Sequence, residues 1–268
     1  MTNVSVLIPV AIDADNSGLR RAYKSIVEQT VTPEEILLVT NQTLSTALIE
    51  TISALVDTHS STRHEHFPST SGLGGVLQAG LEHCQAPFVA RMDADDIAEP
   101  ERFARQIDIV ANTEADVVGG QLGEFLDDPR HLDRIRQVPT AHDEIADWMA
   151  WRCPINHPTV MFDRDAVLEA GGYRHVPMME DWDLWARCLA AGLRFRNLDQ
   201  MLVRAQVTDL TDRRGGLPYA RAEIRMAREL RRLGIASTVD TTRHLCLRVP
   251  TRLVPSSIRE RLYQLFAR

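Results

Sequence analysis

A single lysine, Lys24, stands among 268 residues, so the positive charge is almost entirely arginine. A net basic balance is also missing. The formal charge of −7 argues against a general nucleic-acid binder, which would carry a basic face. Cysteine is sparse and scattered: Cys84, Cys153, Cys188 and Cys246 form no CxxC or CxxH pair. That spacing excludes a zinc-finger type of site and fits reduced thiols in a cytoplasm. No apolar run reaches membrane-spanning length, and the first one, Val4–Val10, lacks the basic preface of a signal peptide. The chain has no internal repeat, no Walker loop, no dinucleotide fingerprint and no serine-nucleophile elbow.

What is present is an ordinary globular composition, 44% apolar and 25% charged, in a length that suits one large domain with a short appendage. Buried-strand patterns at Val4–Val10, Glu35–Thr40 and Pro87–Met92 alternate with helical spacing at Leu19–Gln29, Leu44–Val56, Leu73–Cys84 and Pro100–Val110. Such alternation predicts right-handed βαβ units, a mainly parallel sheet, and ligands beyond the carboxyl ends of the strands. The second half is less regular. Short strands are expected at Val117–Gln121 and Thr159–Phe162. Helices are expected at Asp143–Trp151, Arg164–Ala170, Glu180–Ala191 and Gly216–Leu233.

Ala90-Arg91-Met92-Asp93-Ala94-Asp95-Asp96 is the most informative stretch, because an apolar strand ends directly in three carboxylates. Asp93 and Asp95 alternate and so share a face in extended geometry. Like charges that close repel unless a cation lies between them. Oxygen ligands of this kind suit Mg²⁺ or Mn²⁺, which also bind a diphosphate. Read without that cation, the cluster is a solvated turn, with Asp96 as a helix cap. Asp181, at the start of the helix bearing Trp182 and Trp185, reads from its position alone as a cap and in its functional reading as a general base. Arg213 and Arg214, before Gly215-Gly216, have the chemistry to hold phosphate, or form an exposed basic turn. His157, in Asn156-His157-Pro158-Thr159, is a weaker site candidate.

In order along Val4–Leu233, these segments resemble glycosyltransferase family 2, the large inverting group with the GT-A fold. The resemblance is carried by five stretches. They are the first strand, Gly72-Leu73-Gly74 with Ala79-Gly80-Leu81, Met92–Asp96 with Pro100 and Arg102, Gly171-Gly172-Tyr173 with Glu180–Trp185, and Arg213–Gly216. It implies a GT-A domain over residues 1–235 and hexosyl transfer from a nucleotide-diphosphate-sugar donor to a glycan or lipid-linked hydroxyl, as in bacterial surface-glycan synthesis. It further implies Asp93 and Asp95 at the metal and Asp181 as base. Pro9, Val10, Ala11, Thr40, Asn41, Gly72, Asp93, Ala94, Arg213 and Arg214 would face the donor. Glu180, Trp182 and His157 would lie on the acceptor side, with further acceptor contacts between Leu122 and Asn156. The chain departs from the family where Thr40-Asn41 replaces the usual acidic turn, where Ala11-Ile12-Asp13 replaces an aromatic-Asn pair, and where no His occurs near Val203–Gln206. The altered turn supports a second reading, a nucleotide-sugar-binding regulatory or scaffold subunit without catalysis. A nucleotidyltransferase ranks last, because Asp13 and Asp15 are acidic where its phosphate loop needs cations.

From Thr242 to Arg268 six arginines stand against one glutamate, +5 of the total of −7, so the preceding residues carry −12. Residues 236–268 are therefore read as a basic amphipathic extension that Pro250 and Pro255 divide into short pieces. It either packs on the catalytic domain or a second subunit, as in a homodimer, or lies on the anionic inner face of the plasma membrane. The second reading gains ~1 kcal/mol per basic residue.

Overall fold

The computed structural model describes residues 3–207 and 215–254. Nine strands join one sheet in the order β3-β2-β1-β4-β8-β6-β9-β5, with β7 paired to β6. Its parallel half is built from β1 (Val4–Pro9), β2 (Glu35–Thr40), β3 (Thr62–His66) and β4 (Phe88–Arg91). Antiparallel pairing begins where β8 (Met161–Asp163) meets β4. β6 (Val117–Phe125) then runs parallel to the long β9 (Phe195–Gln206), with register shifts around Gln121. The short β5 (Ile97–Ala98) and β7 (Arg134–Arg136) complete the sheet. The chain has the GT-A fold.

β1 and β2 are buried along their whole length, because helices cover both faces of the sheet. Alternate side chains serve two cores. Val6, Ile8, Ile36 and Leu38 pack with Leu19 and Ile26 of α1 (Asn16–Val27) and Ile52 of α2 (Thr46–Thr58). Leu7, Leu37 and Val39 pack on the other face with Leu77 and Leu81 of α3 (Gly72–His83). That second core continues into Met149 of α5 (His142–Met149), Trp182 and Trp185 of α7 (Glu180–Ala190), and Met226 of α8 (Leu217–Arg232). The remaining helices are α4 (Arg102–Asn112), α6 (Arg164–Glu169) and α9 (Thr238–Leu253).

Several elements depart from the sequence expectations, among them the strands β5, β7 and β9, where none was expected. β3, Thr-Arg-His-Glu-His, has no apolar alternation; it forms because it is an edge strand pairing β2 through its backbone. The strand expected at Thr159–Phe162 is Met161–Asp163 (β8), because Thr159 ends a 3-10 turn, His157–Thr159. Pro250 does not end a helix: α9 runs through it to Leu253. Proline removes one backbone donor, but contacts on both sides of it hold the helix down. Arg248 and Arg252 both reach Glu223 of α8.

Candidate active site

β1, β2 and β4 are parallel and adjacent, so their carboxyl ends open on one edge. The chain leaves β4 there with Met92 hydrogen-bonded to Leu7, and the carboxylates follow. Arg91, the last residue of β4, is buried and grips Asp93 at both oxygens, Nη1 donating to Oδ2 at 2.8 Å. Burial would lower the Arg91 pKa most, but the Asp93 charge, the hydrogen bonds to Asp93 and the nearby Tyr173 and Asp96 together outweigh it, and the guanidinium is held more firmly charged. Asp95 is exposed and lies against Gly18 near the start of α1. Its pKa is raised, first by crowding from the surrounding protein and then by the Asp93 charge. Asp96 is buried, its Oδ2 has no hydrogen-bond partner among the described residues, and burial with the charges of Asp93 and Asp95 pushes its pKa well up.

Arg102 underpins this turn. It is fully buried, and its guanidinium donates to the carbonyls of Arg91 at 2.8 Å and Val160 at 3.2 Å and to Gln106 Oε1 at 3.1 Å. Burial pulls its pKa down to about 9 against the opposing pull of Asp96. The arginine two residues after Pro100 thus ties α4 to the ends of β4 and the 3-10 turn.

Asp181 is half-buried in the first turn of α7. Its Oδ1 accepts the Trp182 amide at 2.8 Å and its Oδ2 accepts the Cys153 thiol at 3.7 Å. Glu180 beside it has a raised pKa, through burial first and the Asp181 charge after. Trp182 is buried behind this corner and donates its indole N–H to the Met149 carbonyl at 3.0 Å. His157 Nε2 bonds the Tyr173 hydroxyl at 2.8 Å. Burial and the Arg91 charge hold His157 neutral, its pKa well below the usual value. Burial also pushes the Tyr173 hydroxyl up strongly; Arg91 opposes this, and Asp181 and Asp93 add to it.

Glycines make the approach of α3 to α7 possible. A Cβ on Gly74 would stand 2.1 Å from the Arg174 carbonyl and 3.2 Å from Glu180, and one on Gly172 would stand 2.0 Å from Gln78 Oε1. The glycine-rich start of α3 is thus a packing surface, with Gly74 against Arg174 and Glu180 and Gly72 against His175. Pro9 and Val10 are buried at the end of β1 and Ala11 is exposed beyond them. Thr40, ending β2, places its hydroxyl 3.0 Å from His64 Nε2 and 2.9 Å from His66 Nδ1. Asn41 reaches the carbonyls of Thr70 and Gly72, each at 3.4 Å. Ala94 is buried between Asp93 and Asp95. Arg213 and Arg214 lie outside the described residues.

Sequence reasoning passed over Arg91, Cys153, His64 and His66. Arg91 was legible in principle, since residues two apart in extended backbone share a face. Cys153 and the two histidines carry no spacing that joins them to Asp181 or Thr40. Among the described residues no group of three or more His, Cys, Asp or Glu is placed to hold a metal. No described helix is long and apolar enough to cross a membrane.

A parallel α/β sheet with paired carboxylates at its carboxyl edge and a third from a distant helix defines a nucleotide-sugar type of transferase. A family model described as Glycosyl transferase family 2 matches residues 5–172, and the chain belongs to that family and is a glycosyltransferase. It is 36% identical over 266 residues to an uncharacterized glycosyltransferase of Haemophilus influenzae, covering 98% of each chain. It is 31% identical to the amylovoran biosynthesis glycosyltransferase AmsE of Erwinia amylovora, covering 97% of each. It is 30% identical to the UDP-Gal:alpha-D-GlcNAc-diphosphoundecaprenol beta-1,3-galactosyltransferase of Escherichia coli, covering 97% of this chain and 94% of the relative. Among solved structures, the mannosyltransferase PcManGT of Pyrobaculum calidifontis, in complex with GDP-Man and Mn²⁺, superposes with TM-score 0.68 at 15% identity. That match covers 98% of this chain and 75% of the other. TarS residues 1–349 of S. aureus with UDP-GlcNAc gives 0.66 at 14% identity, covering 93% and 72%.

Proposed function

We propose that the chain transfers a sugar, with inversion, from a nucleotide-diphosphate donor to a hydroxyl of a lipid-linked glycan during polysaccharide synthesis. The observation that carries this reading is the pairing of Asp93 and Asp95 just past the carboxyl end of β4 with Asp181 in the first turn of α7, in a chain of glycosyltransferase family 2. Relatives named for amylovoran synthesis and for a diphosphoundecaprenol acceptor support the class of product.

Each residue has a task. The ends of β1 and β2, Pro9, Val10, Ala11, Thr40 and Asn41, face the nucleoside, with Gly72 and Ala94 beside it. Arg91 fixes Asp93 at both oxygens, so Asp93 acts mainly by orienting the donor. Asp95 keeps an exposed carboxylate crowded by the like charge of Asp93, and a pair of oxygen ligands of this kind suits a hard divalent cation such as Mn²⁺ or Mg²⁺. Asp95 would hold that ion with Asp93, and when bound it would supply charge neutralisation to the leaving diphosphate. Arg213 and Arg214 would add to that neutralisation.

Asp181 accepts the proton of the acceptor hydroxyl. The freed oxygen attacks the anomeric carbon, the bond to the diphosphate breaks, and its electron pair leaves with the nucleotide. In-line attack places the base across the sugar from the leaving group. The Trp182 amide and the Cys153 thiol orient the Asp181 carboxylate. Glu180, Trp182 and His157 shape the acceptor side. The outer face of α9 exposes Val239, Leu247 and Leu253, a surface suited to peripheral contact with the membrane that carries such acceptors.

A screen of UDP- and GDP-sugars with Mn²⁺, read first as a melting-temperature increase and then as transfer, tests the proposal. Asp181→Asn should retain the donor-dependent stabilisation and lose at least about a hundredfold in turnover. Asp95→Ala should lose the Mn²⁺-dependent part of the stabilisation. Wild-type turnover in Asp181→Asn would remove Asp181 as base. Binding without turnover in the wild-type chain would favour the scaffold reading.

A further inference from the structure

One face of α1 runs beside the chain from Asp95 to Glu99. Gly18 abuts Asp95: a Cβ on that glycine would stand 3.5 Å from the Asp95 Cβ. Two turns on, Ser25 Oγ accepts the Ala98 amide at 3.0 Å, and one turn further Gln29 Nε2 donates to the Glu99 carbonyl at 2.7 Å. Arg21 lies on the same stripe, one turn from Gly18 and one from Ser25. It is half-buried and donates Nη2 to Gln206 Oε1 at 2.8 Å. Gln206 ends β9, whose antiparallel ladder with β5 sets Arg204 opposite Ile97. That register brings Gln206 alongside Asp95 and Asp96, and the Gln206 amide donates to the Asp96 carboxylate. The run Arg21–Gln206–Asp96 thus joins α1, the end of β9 and the carboxylate turn.

Packing alone does not call for an arginine here. Among the described residues Arg21 forms no ion pair, and its Nε is buried without a hydrogen-bond partner. Asp15 instead caps α1, its Oδ2 accepting the Gly18 amide at 2.8 Å. A partly desolvated cation without a carboxylate is costly, and an apolar side chain of similar length would cover the same surface. What the arginine adds is a grip on Gln206. Groups that brace a ligating side chain from behind fix its orientation and so raise its affinity for a metal.

We propose that Arg21 is a positioning residue, which through Gln206 fixes the Asp95-Asp96 turn against α1 and so holds Asp95 in place for the divalent ion. This rests on the reading above that Asp95 holds such an ion.

The test is equilibrium binding of Mn²⁺ to the full chain, alone and with UDP or GDP, read as loss of the free-ion paramagnetic resonance signal. Arg21→Met keeps the packing of the stem and removes both the charge and the bond to Gln206. On charge alone it would tighten Mn²⁺ binding, because a cation near the ion is gone. Positioning requires the opposite sign: binding weakened at least about threefold, as when a side chain held in one staggered well gains all three. Gln206→Ala, which alters no charge, should weaken it as much, and the two substitutions together should do no more than either alone. Arg21→Lys, which can still donate to Gln206 Oε1, should recover most of the loss. The melting temperature without metal checks that each variant folds. Mn²⁺ binding tighter or unchanged in Arg21→Met overturns the proposal, as do additive losses in the double variant. Loss in Gln206→Ala alone also overturns it, by making Gln206 a ligand in its own right. So does weaker binding of UDP or GDP without metal in Arg21→Met alone, which would place Arg21 at the donor. A wild-type chain that binds no Mn²⁺ removes the metal reading itself, whereas wild-type binding that every variant retains removes only the role of Arg21.

Discussion

Replacing Glu223 by glutamine should loosen the C-terminal helix and destabilise the whole chain. Glu223 is fully buried in α8 and receives a histidine and two arginine side chains from α9. His244 Nε2 reaches Oε2 at 2.9 Å, Arg248 Nε reaches it at 3.0 Å, and Arg252 Nη2 reaches Oε1 at 2.6 Å. Burial would raise the Glu223 pKa, but the bond from His244 and the charges of Arg248 and Arg252 hold it well below the usual carboxylate range. A glutamine amide keeps one acceptor and removes the charge that gathers these groups. Breaking one side of a buried ion pair costs about 3–5 kcal/mol, and at roughly 2–4 °C per kcal/mol for chains near this size the melting temperature should fall on the order of 10 °C. A group with a depressed folded pKa adds stability above its unfolded value and loses it as pH falls below. The gap between variant and wild type should therefore narrow below about pH 4.5. Thermal denaturation at pH 7 and pH 4, with hydrogen exchange across residues 238–253, measures both effects. A melting temperature within about 2 °C of wild type, with unchanged exchange in α9, would refute the reasoning. Methionine at Glu223, Arg248 and Arg252 together should recover much of the loss, since an apolar set of similar volume carries no desolvation cost.

Three further outcomes follow from the site. Because His157 is held neutral when folded but titrates near 6.5 when unfolded, stability should fall by about 1.4 kcal/mol as pH drops from 7.5 to 5.5. Urea denaturation of His157→Asn at the two pH values should show that slope reduced. Gly74→Ala drives a methyl into the Arg174 carbonyl and should cost about 1–3 kcal/mol. It should also displace Arg174–Glu180, lowering turnover more than donor binding, which steady-state kinetics against donor titration separates. Arg102→Lys keeps the charge but cannot span the carbonyls of Arg91 and Val160, so a loss of about 3 kcal/mol by chemical denaturation is expected.

Residue order alone carried much of this. Local patterning determines strands and helices wherever one side-chain period dominates, and Val4–Pro9, Glu35–Thr40 and Glu180–Ala190 match their expected elements within a residue or two. Asp93, Asp95 and Asp181 were legible as candidates because a carboxylate at a strand end or a helix start stands out against apolar neighbours. β3 and β9 were not legible, because an edge strand and a bulged one draw their pairing from a partner's backbone. The unbroken course of α9 through Pro250 depends on Glu223, in another helix. Only the tertiary structure decided that Arg91 takes the Asp93 carboxylate and that Cys153 bonds Asp181. The second contact joins residues far apart in the chain, and a linear pattern reports only on neighbours within a turn or a pleat, whereas charge and hydrogen bonding act through space.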